Sequence, residues 1–444
     1  MACPSWTLKA DSFGPIAHAE ITLSPLTVFA GKNSVGKSYL SSLIWAIMAP
    51  RDSGFENQNR FVDSSFYKEI APKIENIVQE PIQEESLHKI IGGDDFLEIV
   101  RCFVSFTNEL INHKNTIDAL FDSVFSEEIS VSIRFPQSEL SEHISKNIIK
   151  ASRTLSSYFP DDIDSQKKSF ARAVLIDTFE EFLSGGNRKK SIRYLPAART
   201  GLMILYNSMV VNLLKSLSWS SEDEREKFPA SMVNFLGNLG AITGKRVGPF
   251  RDVGEMLERD VLRGRVELTP IAGNGFNFIP EGSNQVIPMH AASSLVTELT
   301  PLVVFLKWSD VSTLIIDEPE AHLHIDAQRI VARALARLIN RGVTVILTTH
   351  SEIILQEIDN LMHLYLHPQR ERLCKKYEIR EDELINPDKA CGYWLKEGKG
   401  GSRTIPMEKR REGLVYPEMN NTLYKILEIT SDIQDEDAED GEEQ

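Results

Sequence analysis

The sequence has few cysteines, no long apolar run and no excess of positive charge, and each lack removes a class of protein. Its 444 residues include four cysteines that lie far apart without a C-x-x-C pair, which argues against a disulfide framework or a zinc ribbon. No run approaches the roughly 18 apolar residues of a membrane span, and the N-terminus lacks the pattern of a secretion signal. We therefore expect a soluble, cytoplasmic protein without a membrane partner.

The charge is acidic and concentrated at one end. The net charge is −15, and the last thirteen residues, Asp432–Gln444, contain eight acidic residues and no basic one, so the rest of the chain carries −7. Non-specific DNA binders usually have a basic excess, so free duplex DNA is not favoured as the main partner, although a local basic groove is compatible with this average. We predict a disordered acidic tail over 431–444, with docking on a basic partner as the alternative.

Hydrophobic periodicity divides the chain into five parts and predicts an α/β protein. Residues 1–60 show short strands and one helix, whereas 61–190 show apolar residues at helical spacing, as in FARAVLIDTFEEFLSG. A strand and a helical lobe follow over 191–245. Short β runs such as VELTPI, GFNFIPEG and NQVIPMH open the segment 246–430, which then alternates strand and helix as parallel α/β proteins do.

The stretch GKNSVGKS lies between an apolar strand pattern, Leu26 to Ala30, and a helical pattern, Ser38 to Met48. At this spacing the loop's backbone N–H groups surround phosphates, the lysine reaches the β and γ phosphates, and the hydroxyl after it binds Mg²⁺. A chance glycine loop is the alternative, but the flanking strand and helix argue against it. The sequence therefore predicts ATP and Mg²⁺ as cofactors and nucleotide contacts at Gly31, Asn33, Ser34, Gly36, Lys37 and Ser38.

Two further strand patterns end in chemically useful side chains. VSTLIIDEPEAHLH places Asp317 and Glu318 at a strand's carboxyl end, where the first can hold Mg²⁺ through water and the second can deprotonate an attacking water. The strand Val343 to Leu347 leads into TTHS, which places His350 within reach of a γ-phosphate. Taken alone, the Asp-Glu pair has solvated surface acids as its alternative, and His350 has a structural histidine as its alternative.

These motifs together resemble the ABC-type ATPases of the chromosome-maintenance, RecF and overcoming-lysogenization-defect group. The resemblance covers the first sixty residues and about Ser191 to Ile429. It implies an ABC-type P-loop ATPase head with an N-terminal β-rich subdomain and a helical insertion. In that group two heads sandwich two nucleotides, so the resemblance also implies self-association as a head-to-head dimer or a larger oligomer built from it.

The same resemblance suggests roles for residues outside the three motifs. Ser293 and Ser294, in HAASSLVTELTPLVVFL, stand where the group has its signature serine, although Leu295 replaces the usual glycine and an ordinary helix cap is the alternative. Arg199, in YLPAARTG, contacts nucleotide or couples the helical lobe to the core, with structural pairing as the alternative. His324 belongs to the loop that crosses the dimer interface. His322 and His324 form an H-x-H with Glu320 nearby, and we prefer the interface role to a zinc site because further ligands are lacking.

No segment resembles the metal-binding Toprim domain that nucleases of the overcoming-lysogenization-defect family carry after the ATPase. ATPases of this build look most like the ATPase subunits of anti-phage systems such as PARIS or Septu. That resemblance implies a scaffold and sensor that controls a separate nuclease or toxin and responds to a phage trigger protein. One alternative is a RecF-like DNA-repair ATPase with ATP-dependent DNA binding. Another is a P-loop kinase or unrelated NTPase, which leaves the Asp-Glu pair, the histidine and the serines unexplained.

Overall fold

The computed structural model describes residues 6–49, 129–134, 191–206, 229–269, 275–410 and 413–415, with scattered single positions between 136 and 178 and between 428 and 431. The strands are β1 (Thr7–Phe13), β2 (Ile16–Thr22), β3 (Leu26–Gly31), β4 (Ser130–Arg134), β5 (Ile192–Leu195), β6 (Gly264–Thr269), β7 (Gly275–Pro280), β8 (Ile287–Pro288), β9 (Thr313–Asp317), β10 (Thr344–Thr349), β11 (Ala390–Lys396), β12 (Ser402–Pro406), β13 (Glu408–Arg410) and β14 (Gly413–Val415). The α-helices are α1 (Lys37–Met48), α2 (Ala230–Gly240), α3 (Arg251–Leu257), α4 (Ser294–Trp308), α5 (Ile325–Asn340), α6 (Glu352–Leu366) and α7 (Arg370–Lys376). Within these ranges no helix combines the length and the apolar character needed to cross a bilayer.

The main sheet of the described residues has nine strands in the order β4-β1-β2-β12-β11-β3-β10-β9-β5. From β11 to β5 all neighbours are parallel. Every residue of β3, β9 and β10 is buried, as expected for parallel strands covered on both faces. The predicted α/β class is therefore confirmed.

The register of the central strands brings three motifs to one edge. Ala30 pairs with Thr349, and Thr348 pairs with Asp317, so β3, β10 and β9 end level with one another. Ligands of parallel α/β sheets bind outside these carboxyl ends. The strands predicted before GKNSVGKS and TTHS are confirmed, with ends shifted by one or two residues.

The β1–β2 hairpin and strand β12 contact the loop between β3 and α1, which we call the phosphate loop because of its predicted role. The hairpin of β1 and β2 turns at Pro15, whose carbonyl accepts a 2.8 Å hydrogen bond from the Ser402 N–H. The Ser402 hydroxyl also donates to the Val35 carbonyl inside the phosphate loop, at 2.5 Å. Strand β12 therefore links the hairpin turn to the loop.

A second, three-stranded antiparallel sheet, β6-β7-β8, contains the predicted β runs and confirms them. A π-helical turn, Glu258–Leu262, leads into it from α3. The Lys307 Nζ near the end of α4 donates to both carboxylate oxygens of Glu258, at 2.7 and 2.9 Å, and to the Val266 carbonyl at 3.3 Å. This buried ion pair fixes the end of α4 to the second sheet.

Most of the predicted helical insertion over 61–190, and nearly all of the acidic tail over 431–444, lie outside the described residues. The described piece Ser130–Arg134 is a strand that pairs antiparallel with β1. Val131 and Ile133 are buried while Ser130 and Arg134 are exposed, which is the alternation of an edge strand with one covered face. The insertion therefore contributes a strand to the main sheet, and the five-part division stays a prediction.

Gly36 is the position where the loop depends most directly on glycine. Its φ is 99°, and a Cβ there would lie 2.7 Å from Ile16 Cγ1 and 3.0 Å from Pro15 Cγ. We expect Gly36→Ala to lower the free energy of unfolding by about 1–2 kcal/mol for the left-handed backbone, plus about 1–3 kcal/mol for overpacking.

Gly282→Ala is the matched control, because φ is 71° there but, apart from its two chain neighbours, no described residue has an atom within 4 Å of the added Cβ. It should show the backbone cost alone. Urea unfolding measures both variants, and equal losses would mean that Ile16 and Pro15 move aside freely.

Candidate nucleotide-binding site

The loop between β3 and α1 has the backbone of an anion site. Ser34, with φ 64°, and Gly36 both adopt left-handed conformations, which turn neighbouring N–H groups into a concave nest. Within the described ranges no side chain caps the N-terminus of α1, so its first N–H groups are suited to bind a phosphate. Asn33 and Ser34 are exposed, and Ser38 is half-buried in the first turn of α1.

Lys37 folds back over this loop. Its Nζ donates to the Gly31 carbonyl at 3.0 Å and to the Lys32 carbonyl at 2.7 Å. Burial lowers the pKa of the Lys37 ammonium, whereas the negative charges of Glu318, Glu320 and Asp317 act to raise it. The charges of three carboxylates therefore act on the ammonium, which holds carbonyl contacts that it can exchange for phosphate oxygens.

The Asp317 carboxylate is fully buried and bound by three hydroxyl groups. Ser41 and Thr348 donate to its Oδ1 at 2.7 and 2.9 Å, and Tyr194 donates to its Oδ2 at 2.7 Å. The Ser41 hydroxyl also bonds the Ser38 carbonyl at 3.0 Å, which places the carboxylate beside the first turn of α1. Burial raises the pKa of the Asp317 carboxyl, and the hydroxyl donors act in the opposite direction.

Glu318 has a left-handed backbone, with φ 47°, directly after β9. A non-glycine residue in this region costs about 1–3 kcal/mol and persists only where its surroundings hold it. Its N–H donates to the Thr348 carbonyl at 2.9 Å. The side chain is 28% exposed, and its Oε1 lies 3.8 Å from His350 Nδ1. The carboxylate is thus open to solvent on one side and close to the histidine on the other.

The Glu320 side chain connects the turn after β9 to His350. Its buried Oε1 accepts hydrogen bonds from the His350 N–H and the Thr349 hydroxyl, both at 2.8 Å, and lies 3.3 Å from His350 Nδ1. Its buried Oε2 has no hydrogen-bond partner among the described residues. Glu320 therefore holds the backbone and ring of His350 in place.

The two serines that the resemblance assigns to the signature stand at the start of α4, away from these contacts. Ser293 is the N-cap, and its hydroxyl accepts a hydrogen bond from the Val296 N–H at 3.4 Å. Ser293 and Ser294 are both exposed. Within the described part of the chain neither side chain bonds to the phosphate loop or to the turn after β9.

His322 and His324 are exposed on the loop between β9 and α5. His324 caps α5, with its Nδ1 accepting from the Asp326 N–H at 3.5 Å. Among the residues that the structure describes, no group of three or more His, Cys, Asp or Glu side chains is arranged to hold a metal ion.

Arg199 is buried next to the site, and its guanidinium binds backbone carbonyls instead of solvent. It is 1% exposed, donates to the carbonyls of Asp317 and Glu318, and forms an ion pair with Glu298 of α4. Of the alternatives open in the sequence, this placement matches structural pairing within the core.

The supporting roles of Ser41, Tyr194, Glu298 and Glu320 were not predicted from the sequence. Ser41 lies one turn after Ser38, and Tyr194 belongs to the YLPAART stretch, but nothing local shows that both reach Asp317. Glu298 had a readable signal, because a lone acid within the apolar helix LVTELTPLVVFL needs a buried partner.

The chemistry of the donors fits a hard divalent cation. The hydroxyl of Ser38 and the carboxylate of Asp317 are oxygen ligands of the kind that Mg²⁺ prefers. The raised pKa of Asp317 is consistent with a carboxylate that gains from a nearby positive charge.

Asp317→Asn should stabilise the metal-free protein, because it removes a buried charge. The pKa of Asp317 is higher in the folded than in the unfolded wild-type protein, so binding of a proton to this carboxyl stabilises the fold. This stabilisation is fully present below the unfolded-state pKa and is lost as the pH rises through the folded-state pKa. In EDTA, without nucleotide, the gain in unfolding free energy over wild type should be larger at a pH above the folded-state pKa of Asp317 than at a pH below its unfolded-state pKa. The same gain at both pH values would contradict this assignment.

Comparison with known proteins adds a family and a set of similar folds. The family model described as AAA ATPase domain matches residues 52–355, which begin after the phosphate loop, end just past His350 and make up more than half of the chain. No curated protein matches significantly.

Similar solved structures include the Smc head bound to the C-winged helix domain of ScpA, with 12% identity over 90% of this chain and 97% of that chain and a TM-score of 0.39. A Smc head with an extended coiled coil, bound to the C-terminal domain of ScpA and derived from Pyrococcus furiosus, has 11% identity over 98% and 100% of the two chains and a TM-score of 0.34. The SMC head domain from Thermotoga maritima has 10% identity over 90% and 98% and a TM-score of 0.31. Scores this low carry no functional weight. The family match and the P-loop fold identify an ATP-hydrolysing enzyme, and the chain belongs to the AAA ATPase domain family.

Proposed function

We propose that this ATPase works as an ABC-type head in which Lys37 binds the phosphates of ATP and Glu318 and His350 act in hydrolysis. The observation that carries the proposal is the shared edge of β3, β9 and β10, where the loop that carries the buried lysine begins and where Asp317 and Glu318 stand at the end of β9. Asn33, Ser34 and the N–H groups from Gly31 to Ser38 complete the proposed nucleotide site.

Glu318 is the proposed general base. Its half-buried carboxylate can take a proton from water at the γ-phosphate, and the residue lies directly after β9 with a left-handed backbone. His350 lies next to it and is held by Glu320, so it can orient the same water or contact the γ-phosphate. Ser38 and Asp317 are the proposed Mg²⁺ positions, and bound Mg²⁺ supplies charge neutralisation at the β and γ phosphates.

We further propose that two heads share each site. Ser293 and Ser294 are exposed at the start of a 15-residue helix, where their hydroxyls and the helix N-terminus suit a phosphate presented by a second copy of the chain. Two-fold pairing completes both sites at once. His324, on the exposed loop before α5, is the proposed neighbour of this interface.

At the level of the cell, we propose a sensor and scaffold of an anti-phage system that controls a separate nuclease or toxin and responds to a phage trigger protein. The support is the overall build, an ATPase head with a short helical lobe, which resembles the ATPase subunits of such systems. Co-purification with the product of the neighbouring gene tests the proposal. ATP-dependent DNA binding without such a partner would favour the RecF-like alternative instead.

Glu318→Gln should bind ATP but hydrolyse it at least about a hundredfold more slowly, because general-base help is worth about two to four decades. Lys37→Ala should lose nucleotide binding, since the variant lacks the ammonium that reaches the β and γ phosphates. Phosphate release at saturating ATP and equilibrium nucleotide binding measure the two effects. Unchanged turnover in Glu318→Gln would mean that another group positions the attacking water.

The shared-site proposal predicts complementation between two inactive variants. Ser293→Arg with Ser294→Arg should bind one ATP per chain but not form the closed dimer, while Lys37→Ala lacks the opposite half of the site. Their mixture should regain one working site per mixed dimer. A mixture that stays inactive although mixed dimers form, or full activity in a dilute monomer, would contradict shared sites.

A further inference from the structure

The guanidinium of Arg199 holds the backbone that carries the proposed metal and water-activating residues. Its Nη2 donates to the Glu318 carbonyl at 3.0 Å, and its Nη1 donates to the Asp317 carbonyl and, at 3.0 Å, to the Pro196 carbonyl. Two successive carbonyls of the turn after β9 are thus bound by one rigid, planar group.

The same guanidinium is bound on its other side by α4. Its Nη2 forms an ion pair with the Glu298 carboxylate, and its Nε donates to the Glu298 carbonyl at 3.3 Å. The hydroxyl of Thr200, the next residue, donates to the second carboxylate oxygen of Glu298. Glu298 lies about one helical turn after Ser294, so this contact fixes the first turns of α4.

We propose that the Arg199–Glu298 pair couples the start of α4, which carries Ser293 and Ser294, to the position of the Glu318 carboxylate. The inference rests on the proposed function, because it assumes that Glu318 acts in hydrolysis. Arg199 is a positioning residue, since it acts through the carbonyls of other residues.

The geometry gives the pair a means of coupling. Glu318 has a left-handed φ of 47°, a conformation that persists only where its surroundings determine it, and Arg199 binds its carbonyl. Movement of α4 displaces Glu298, and the fully buried Arg199 has no solvent to replace that partner. The hydrogen bonds that hold the turn then change with the helix, and the Glu318 carboxylate within the turn moves too.

A second buried ion pair on α4 serves as a matched control. Lys307 and Glu258 are each 8% exposed and join the other end of the helix to the second sheet. The hydrogen bonds of Lys307 go to Glu258 and to the Val266 carbonyl, not to the turn after β9. A variant of Lys307 therefore reports the cost of losing a buried pair on α4 without the proposed coupling.

The test compares Arg199→Lys and Glu298→Gln with Lys307→Met, measuring thermal stability, nucleotide affinity, and kcat and KM for ATP. A lysine cannot bridge two carbonyls and a carboxylate as the planar guanidinium does. We expect kcat to fall by about 10–100-fold in the first two variants, as misplacement of a catalytic group by about 1 Å can produce, with nucleotide affinity nearly unchanged. Lys307→Met should lose thermal stability while its kcat stays near wild type.

A double variant keeps the test valid if the single ones fold poorly. Arg199→Met with Glu298→Met replaces the buried pair by apolar side chains, which proteins often tolerate without loss of stability. It should fold and bind ATP, yet show the low kcat of Arg199→Lys. Normal kcat in the folded double variant, or an equal loss of kcat in Lys307→Met, would overturn the coupling.

Lys37→Ala and Glu318→Gln, measured in parallel, separate this inference from the proposed function. If both of these hydrolyse ATP like wild type, the proposed site is wrong and the coupling with it. If both are inactive while the Arg199 and Glu298 variants turn over normally, the site stands and only the coupling is wrong.

Discussion

The level ends of three parallel strands are the constraint on which the rest of the structure depends. Strands β3, β10 and β9 are completely buried and pair in register, so the residues that follow each of them emerge at one edge. A one-residue slip in this pairing would turn every side chain of the slipped strand to the other face. The full burial of both faces therefore secures the fold and the geometry of the site together.

That edge concentrates negative charge in a buried setting. Asp317 and Glu320 are almost completely buried, Glu318 stands beside them, and the charges of Lys37 and Arg199 interact with all three. Burial raises the pKa of Asp317 and lowers that of Lys37, so both ionised forms are less favourable here than in water. A polyphosphate adds further negative charge, so the proposed site accepts it together with cations. The buried charge of Asp317 therefore lowers the stability of the protein without ATP and Mg²⁺, although the proposed site uses that charge to bind them.

Helix α4 is anchored at both ends by buried ion pairs with different targets. Glu298 near its start joins Arg199 and the turn after β9, whereas Lys307 near its end joins Glu258 and the second sheet. Buried pairs of this kind add little to stability compared with apolar packing, because desolvation offsets the attraction. Their value here is positional, since each one admits a single arrangement of the helix relative to its neighbour. Each pair therefore fixes its own end of the helix.

Local patterns in the sequence were sufficient for the strands and for the motif residues at their ends. The spacing of Gly31, Gly36 and Lys37 depends on neighbours only a few residues away, and continuous apolar runs mark buried parallel strands wherever they occur. Strand β4 shows the limit of this reasoning, because SVSIR is short and its strand form depends on pairing with β1. Helical spacing in the surrounding segment therefore gave no sign of it.

The supports of the site were decided by tertiary structure alone. Ser41 and Asp317 are 276 positions apart, Tyr194 and Asp317 are 123 apart, and Arg199 and Glu318 are 119 apart. Nothing in the local sequence can indicate such pairs, because their partners are set by which strands become neighbours in the sheet. The sequence by itself determined which residues do the proposed chemistry, since loop conformation and strand ends are local properties. Only the folded sheet decided what holds them, because hydrogen bonds to a buried carboxylate or carbonyl go to whichever donors the topology brings within reach.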